Sequence, residues 1–205
     1  LCVALVACFE WAEDYPFFTQ LLVDGGPAIL SDGQRVDSYE RGLRWGSNHA
    51  LVDGDDAVAI RDAVGLGRSF GAFDALGMPD GFDFFVEADG DVLEMGEEAT
   101  ASEATVYVRA PTLTAPPWGI PGVTDFSTAE VTTKVFHVTA EGSEVVDTFA
   151  GQGRTREIPA GPGAWRVEVW IRPLHLAAAL TGVEQLADGD YPYIYSNGIF
   201  VRDVQ

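Results

Sequence analysis

Ala164-Trp165-Arg166-Val167-Glu168-Val169-Trp170-Ile171, followed by Arg172, is the stretch that decides the fold. Its side chains alternate. Trp165, Val167, Val169 and Ile171 fall on one side of an extended chain, and Arg166, Glu168, Trp170 and Arg172 on the other. Successive side chains of a strand point to opposite faces, so this pattern predicts a strand with one buried face. The same period recurs around it. Phe82–Ala88 and Val92–Met95 flank Asp89-Gly90, a two-residue hairpin signal. Thr105–Arg109 alternates, and Thr132–Thr139 and Glu144–Phe149 flank Glu141-Gly142. Tyr193–Val201 reads as a last strand, bent at Ser196-Asn197-Gly198. Short strands separated by Gly, Pro and Asp predict an antiparallel, Ig-like β-sandwich over 78–205. Within it, Pro111–Pro121 reads as an exposed loop and Leu174–Leu180 as a short helical insert, followed by an acidic loop.

Upstream of Met78 the pattern is mixed, so the whole chain reads as α+β with a boundary at 77/78. Cys2–Phe9 has the look of a buried strand, Trp11–Val23 of an irregular helix ended by Gly25-Gly26-Pro27, and Ala28–Leu30 of a short strand. Val36–Trp45 suits a short helix. Asp55–Leu66 is the best helix of the chain. Asp53 or Asp55 would cap it, and Gly67 sits just past its end.

Composition narrows the function classes. The 205 residues carry 12 Lys+Arg against 32 Asp+Glu, a net charge of −20. A chain this long buries roughly 70% of its unfolded surface and needs no disulfides for a core. The acidity argues against nucleic acid, where affinity rests on cations at phosphates, and against anionic membrane surfaces. No apolar run approaches the roughly 20 residues of a transmembrane helix. The two cysteines, Cys2 and Cys8, suit a buried strand. Alternatively, Leu5-Val6-Ala7-Cys8 has the look of a lipoprotein signal ending, which would make Cys8 an anchor on an exported protein. The chain opens on Leu1 without Met, so a truncated or processed chain is expected.

Three segments then form an ordered series: Ser31-Asp32, Arg44-Trp45-Gly46-Ser47-Asn48-His49, and Gly67-Arg68-Ser69-Phe70-Gly71-Ala72-Phe73. The series resembles the closing part of a polymerase-and-histidinol-phosphatase (PHP) barrel. Some PHP members append a β-sandwich. Gly163–Val169 and Tyr191–Val201, with Tyr195-Ser196-Asn197-Gly198-Ile199-Phe200-Val201 at its end, are similar to strands of that sandwich. The resemblance covers roughly 28–77 as a barrel tail and 78–204 as the sandwich. It implies a metal-dependent phosphoesterase-like relative using divalent Zn, Mn or Mg. It further implies Asp32 as a metal ligand. His49 is a second candidate ligand, and Arg68 is a candidate phosphate contact. The chain departs from the family in having no His-x-His, and Gly33 and Gln34 stand where a histidine would follow Ser-Asp. One carboxylate cannot hold a two-metal site, so catalytic incompetence is expected.

The plainer readings are a turn for Asp32, a structural histidine for His49 and an ion pair for Arg68. His137 and His175 read as surface or interstrand residues. A missing barrel would leave apolar surface around Val3–Phe9 and Phe17–Leu22, favouring self-association or a partner chain. The competing function is an extracellular or lipid-anchored β-sandwich that binds a carbohydrate or protein. Trp118, Trp170, Tyr191, Tyr193 and Tyr195 would supply its stacking surfaces.

Overall fold

A computed structural model describes residues 45–204, apart from 53, 55 and 181. From Gly46 onward they belong to one compact unit. In chain order the elements are β1 (Ser47–Ala50), α1 (Ala57–Gly65), β2 (Ser69–Ala72), β3 (Met78–Asp80), β4 (Asp83–Ala88), β5 (Asp91–Leu93), β6 (Glu98–Thr100) and β7 (Ala104–Arg109). There follow β8 (Thr112–Thr114), β9 (Glu130–Thr139), β10 (Gly142–Ala150), β11 (Thr155–Pro159), β12 (Gly163–Arg172), β13 (Tyr191–Ser196) and β14 (Ile199–Arg202). The expected elements within 2–45, the Cys8 anchor and Asp32 lie outside the described residues.

The fold is predominantly antiparallel β and consistent with a β-sandwich. Strand β12 is the axis of the larger sheet. It pairs with β9 along one edge and with β14 and then β13 along the other. The sheet continues outward through β10 beyond β9, and through β2 and β1 beyond β13. A smaller sheet runs β11-β7-β4-β5. Trp165, Val167, Val169 and Ile171 are each 2% exposed or less, as the alternation predicts. They join Phe84, Val86, Val106 and Val108 of the smaller sheet in one apolar cluster. Burial of each such side chain contributes roughly 1.5–3 kcal/mol.

Local signals are realised. At the β4–β5 hairpin Asp89 and Gly90 have φ of 49° and 92°. This is the left-handed pair that a two-residue turn matching strand twist requires. The Asp89 carboxylate accepts the Ser102 and Glu103 amides, which hold its pKa down. Helix α1 is capped by Asp56, not by Asp53 or Asp55 as expected: the Asp56 side chain is the one placed to accept from the Val58 and Ala59 amides. It ends as Gly67 turns left-handed at φ 78°, with Gly67 N bonded to Val64 O and Arg68 N to Ala63 O. Those two bonds satisfy carbonyls the last turn leaves open.

Several expectations are corrected. Residues 46–77 show no α/β barrel tail. Strands β1 and β2 pair antiparallel, and β2 pairs antiparallel with β13, so this segment is hydrogen-bonded into the larger sheet across the expected 77/78 boundary. The Pro-rich stretch is not all exposed loop. Strand β8 lies between Pro111 and Pro116, pairs with β3, and buries Leu113 at 4% exposure. The expected helical insert at Leu174–Leu180 is a short 3-10 turn at Leu174–Leu176, and the expected acidic loop holds a second one at Glu184–Asp188. The register between β12 and β13 shifts between Val169 and Trp170, so both Tyr193 and Ile194 point inward, each 0% exposed. An extra residue on one strand breaks the period of two, so Tyr193 is no stacking platform.

Candidate functional site

Strand β1 places Ser47 and His49 on the same side, two residues apart. The register sets His49 opposite Phe70, and the two rings stack at 4.8 Å with 5° between planes. Two residues past β2 comes Asp74, 3% exposed. Its carboxylate accepts the Ser47 hydroxyl through one oxygen and His49 Nε2 at 3.0 Å through the other. The hydroxyl and the imidazole thus meet on the two oxygens of one carboxylate. Ser47 Oγ lies 3.1 Å from that same Nε2. A proton relay needs the hydroxyl on one ring nitrogen and the carboxylate on the other. Here both converge on one nitrogen, so the trio holds the Asp74 side chain just past β2 rather than relaying a proton.

The rest of the turn is clamped too. His175 donates from Nε2 to Leu76 O at 2.9 Å, and the Tyr193 hydroxyl donates to Gly77 O at 2.7 Å. His175 is buried rather than at the surface, packed on Phe126 at 5.0 Å between ring centroids. Burial, which disfavours the charged ring, pushes its pKa down, partly offset by the Leu76 carbonyl. Burial, helped by the charge of Asp74, pushes the Tyr193 phenol far up. Two of the chain's three histidines thus converge on residues 74–77. His137 is interstrand, stacked on Trp165 at 4.4 Å.

Arg68 occupies a different corner, where α1 meets the strand that follows. Its guanidinium pairs with Glu97, whose other oxygen accepts the Glu94 amide at 2.9 Å. Burial pushes the Glu97 carboxyl up, but that amide and Arg68 outweigh it, leaving a net lowered pKa. The pair lines an open cleft of about 640 Å³, walled by Leu51, Val52, Ala63 and Leu66. Next in sequence to Leu66, Arg68 and Glu97 is a backbone crossing. Asn197 Nδ2 donates to Gly67 O at 2.9 Å, Gly96 N donates to Gly198 O at 2.8 Å, and Ser196 Oγ accepts the Val167 amide at 2.7 Å. The Ser196-Asn197-Gly198 bend therefore stitches β13 and β14 to α1 and β12.

Of the three predicted site residues, Asp32 lies outside the described residues. His49 and Arg68 are held by separate carboxylates, Asp74 and Glu97. Asp74 was missed, although a strand with Ser and His at i and i+2 signals a shared polar partner. Among the described residues no three His, Cys, Asp or Glu side chains are grouped to hold a metal. Among them, no helix is long and apolar enough to cross a membrane. No family model, no curated protein and no solved structure matches the chain.

Proposed function

We propose that the chain is a noncatalytic or degenerate C-terminal portion of a PHP-type, metal-dependent phosphoesterase-like protein, with an Ig-like β-sandwich as accessory module. The order of Ser31-Asp32, Ser47-Asn48-His49 and Gly67-Arg68-Ser69 supports the family reading. What carries the noncatalytic reading is the commitment of the candidate groups. His49 Nε2 is held by Asp74 and Ser47, and Arg68 by Glu97. A metal that lowers its water's pKa to about 7 needs three protein ligands held in place. Asp32 and His49 supply at most two.

The test is p-nitrophenyl phosphate turnover by the full chain with added Zn²⁺ or Mn²⁺, beside Asp32→Ala. Turnover at background in both is expected. Metal-dependent turnover that disappears in Asp32→Ala would overturn the noncatalytic reading and make Asp32 a ligand.

A further inference from the structure

The insert at 174–188 is attached to the molecule differently from the strands on either side of it. Its backbone amides bond within the insert: Ala177 N to Leu174 O, Ala179 N to Leu176 O, Val183 N to Leu180 O and Leu186 N to Val183 O. Val183 and Leu186 are 41% and 47% exposed. Leu176 and Ala187 are buried but stand outside the apolar cluster that joins the two sheets. Among the described residues, one hydrogen bond runs from the insert to the turn at 74–77, that of His175 Nε2 to Leu76 O. Few buried apolar contacts and self-contained hydrogen bonds are the features of a segment that opens by itself.

The ring in that bond is 6% exposed and packed on Phe126. Its other nitrogen, Nδ1, is enclosed and has no hydrogen-bond partner among the described residues. A carbonyl only accepts, so Nε2 keeps its proton for Leu76 O, and a second proton has to go to Nδ1. There it is a buried donor with no acceptor in place, and it carries a charge out of water. The titratable groups on the surrounding elements are engaged elsewhere. From the turn, Asp74 is held by Ser47 and His49. From the loop that leads into β9, Asp125 accepts the Ser127 amide. From β13 come two phenols, Tyr191 and Tyr193, the second donating to Gly77 O. Within the insert Glu184 accepts the Gly182 amide, and beside it Arg172 pairs with Asp190. Asp80 of β3 and Asp188 of the insert are exposed. Among the described residues it is His49 and His137, not His175, that have a carboxylate within ion-pair distance.

We propose that His175 is an acid-released latch, which holds the insert on the turn at neutral pH and frees it, with both sheets intact, when the ring takes a second proton. Burial holds the folded ring's pKa below its ordinary value. In the opened insert the ring is solvated and titrates near the ordinary value of about 6.5. Between those two values the opened form binds more protons, so acid favours opening. The latch is therefore at full strength above about pH 6.5 and weakens as pH falls through that value toward the depressed one. Each pH unit inside that window raises the opening constant by up to about tenfold. Release uncovers the side of Phe126 that the ring covers, together with Leu176 and Ala187.

Hydrogen exchange of the full chain, followed by NMR at about pH 7.5 and about pH 5.5 and corrected for intrinsic exchange, tests this. The opening constant at the Ala179, Leu180 and Val183 amides is expected to rise roughly fivefold to tenfold on acidification. The Val167 and Val169 amides of β12 are expected to stay at least about tenfold better protected than these at both pH values. His175→Gln keeps an N–H for Leu76 O but has no proton to gain, so its insert opening is expected to change less than about twofold. If that variant does not fold, the ring resonances of His175 in the wild type serve, with a titration midpoint expected below about 6.5. Insert opening that does not change with pH in the wild type overturns the proposal. So does an equal rise in His175→Gln, exchange of the insert together with β12 at the lower pH, or a ring midpoint at or above about 6.5.

Discussion

Gly96→Ala is expected to destabilise the protein by roughly 2–5 kcal/mol, combining a left-handed backbone penalty with overpacking. Gly96 sits at φ 86°, and a Cβ there would lie 2.0 Å from Leu66 O and 2.8 Å from the Gly67 carbonyl carbon. Both obstacles are backbone, so no side-chain rotation can relieve them. The end of α1, the Arg68–Glu97 pair and the Ser196-Asn197-Gly198 bend all meet at this crossing, and a shift would loosen all three. Gly90→Ala provides the comparison. It has a similar φ of 92° but open space around a new Cβ, so roughly 1–2 kcal/mol is expected from backbone alone. Urea denaturation of the two variants measures the difference. Equal losses would mean that α1 and the 94–97 loop do not approach as closely as described.

Trp165→Ala is expected to cost roughly 3–5 kcal/mol, the range for deleting a buried aromatic from a core. Trp165 is 2% exposed, stacks on His137, and donates its indole N–H to Gly161 O at 3.0 Å. Arg166→Ala, one residue on, reverses the face. It loses a partly exposed ion pair and a cation–π contact, for which roughly 1 kcal/mol is expected. Guanidinium denaturation should separate the two midpoints clearly. A small loss at Trp165 with a large one at Arg166 would invert the facing of β12 and the core built on it.

The period of two along 164–171 made β12 legible because its two faces meet different surroundings over its whole length. The Asp89-Gly90 hairpin and the end of α1 at Gly67 were legible for a different reason: each depends on a conformation that few residues adopt. Tyr193 was not legible, because a bulge reverses the facing of every residue beyond it and leaves no mark in composition. Strand β8 was hidden by prolines on both sides, although Thr112–Thr114 needs only one short partner. An acidic partner for Arg68 was foreseeable among 32 Asp and Glu, but Glu97 lies 29 residues away, and only the fold selects it. Asp74 likewise joins His49 only because β1 and β2 pair.

The claim that the segment carrying His49 and Arg68 is structural rests on its place in the larger sheet. Phe73 N bonds to Tyr193 O at 3.0 Å and Leu51 N to Arg68 O at 2.9 Å, extending the β2–β13 and β1–β2 pairings. Native-state hydrogen exchange measures this directly. If β2 belongs to the cooperative core, the amides of Phe73 and its β2 neighbours should open with free energies within about 1 kcal/mol of those of Val167 and Val169. Exchange of the β2 amides through a local opening several kcal/mol easier than the core, with β12 still protected, would contradict the account.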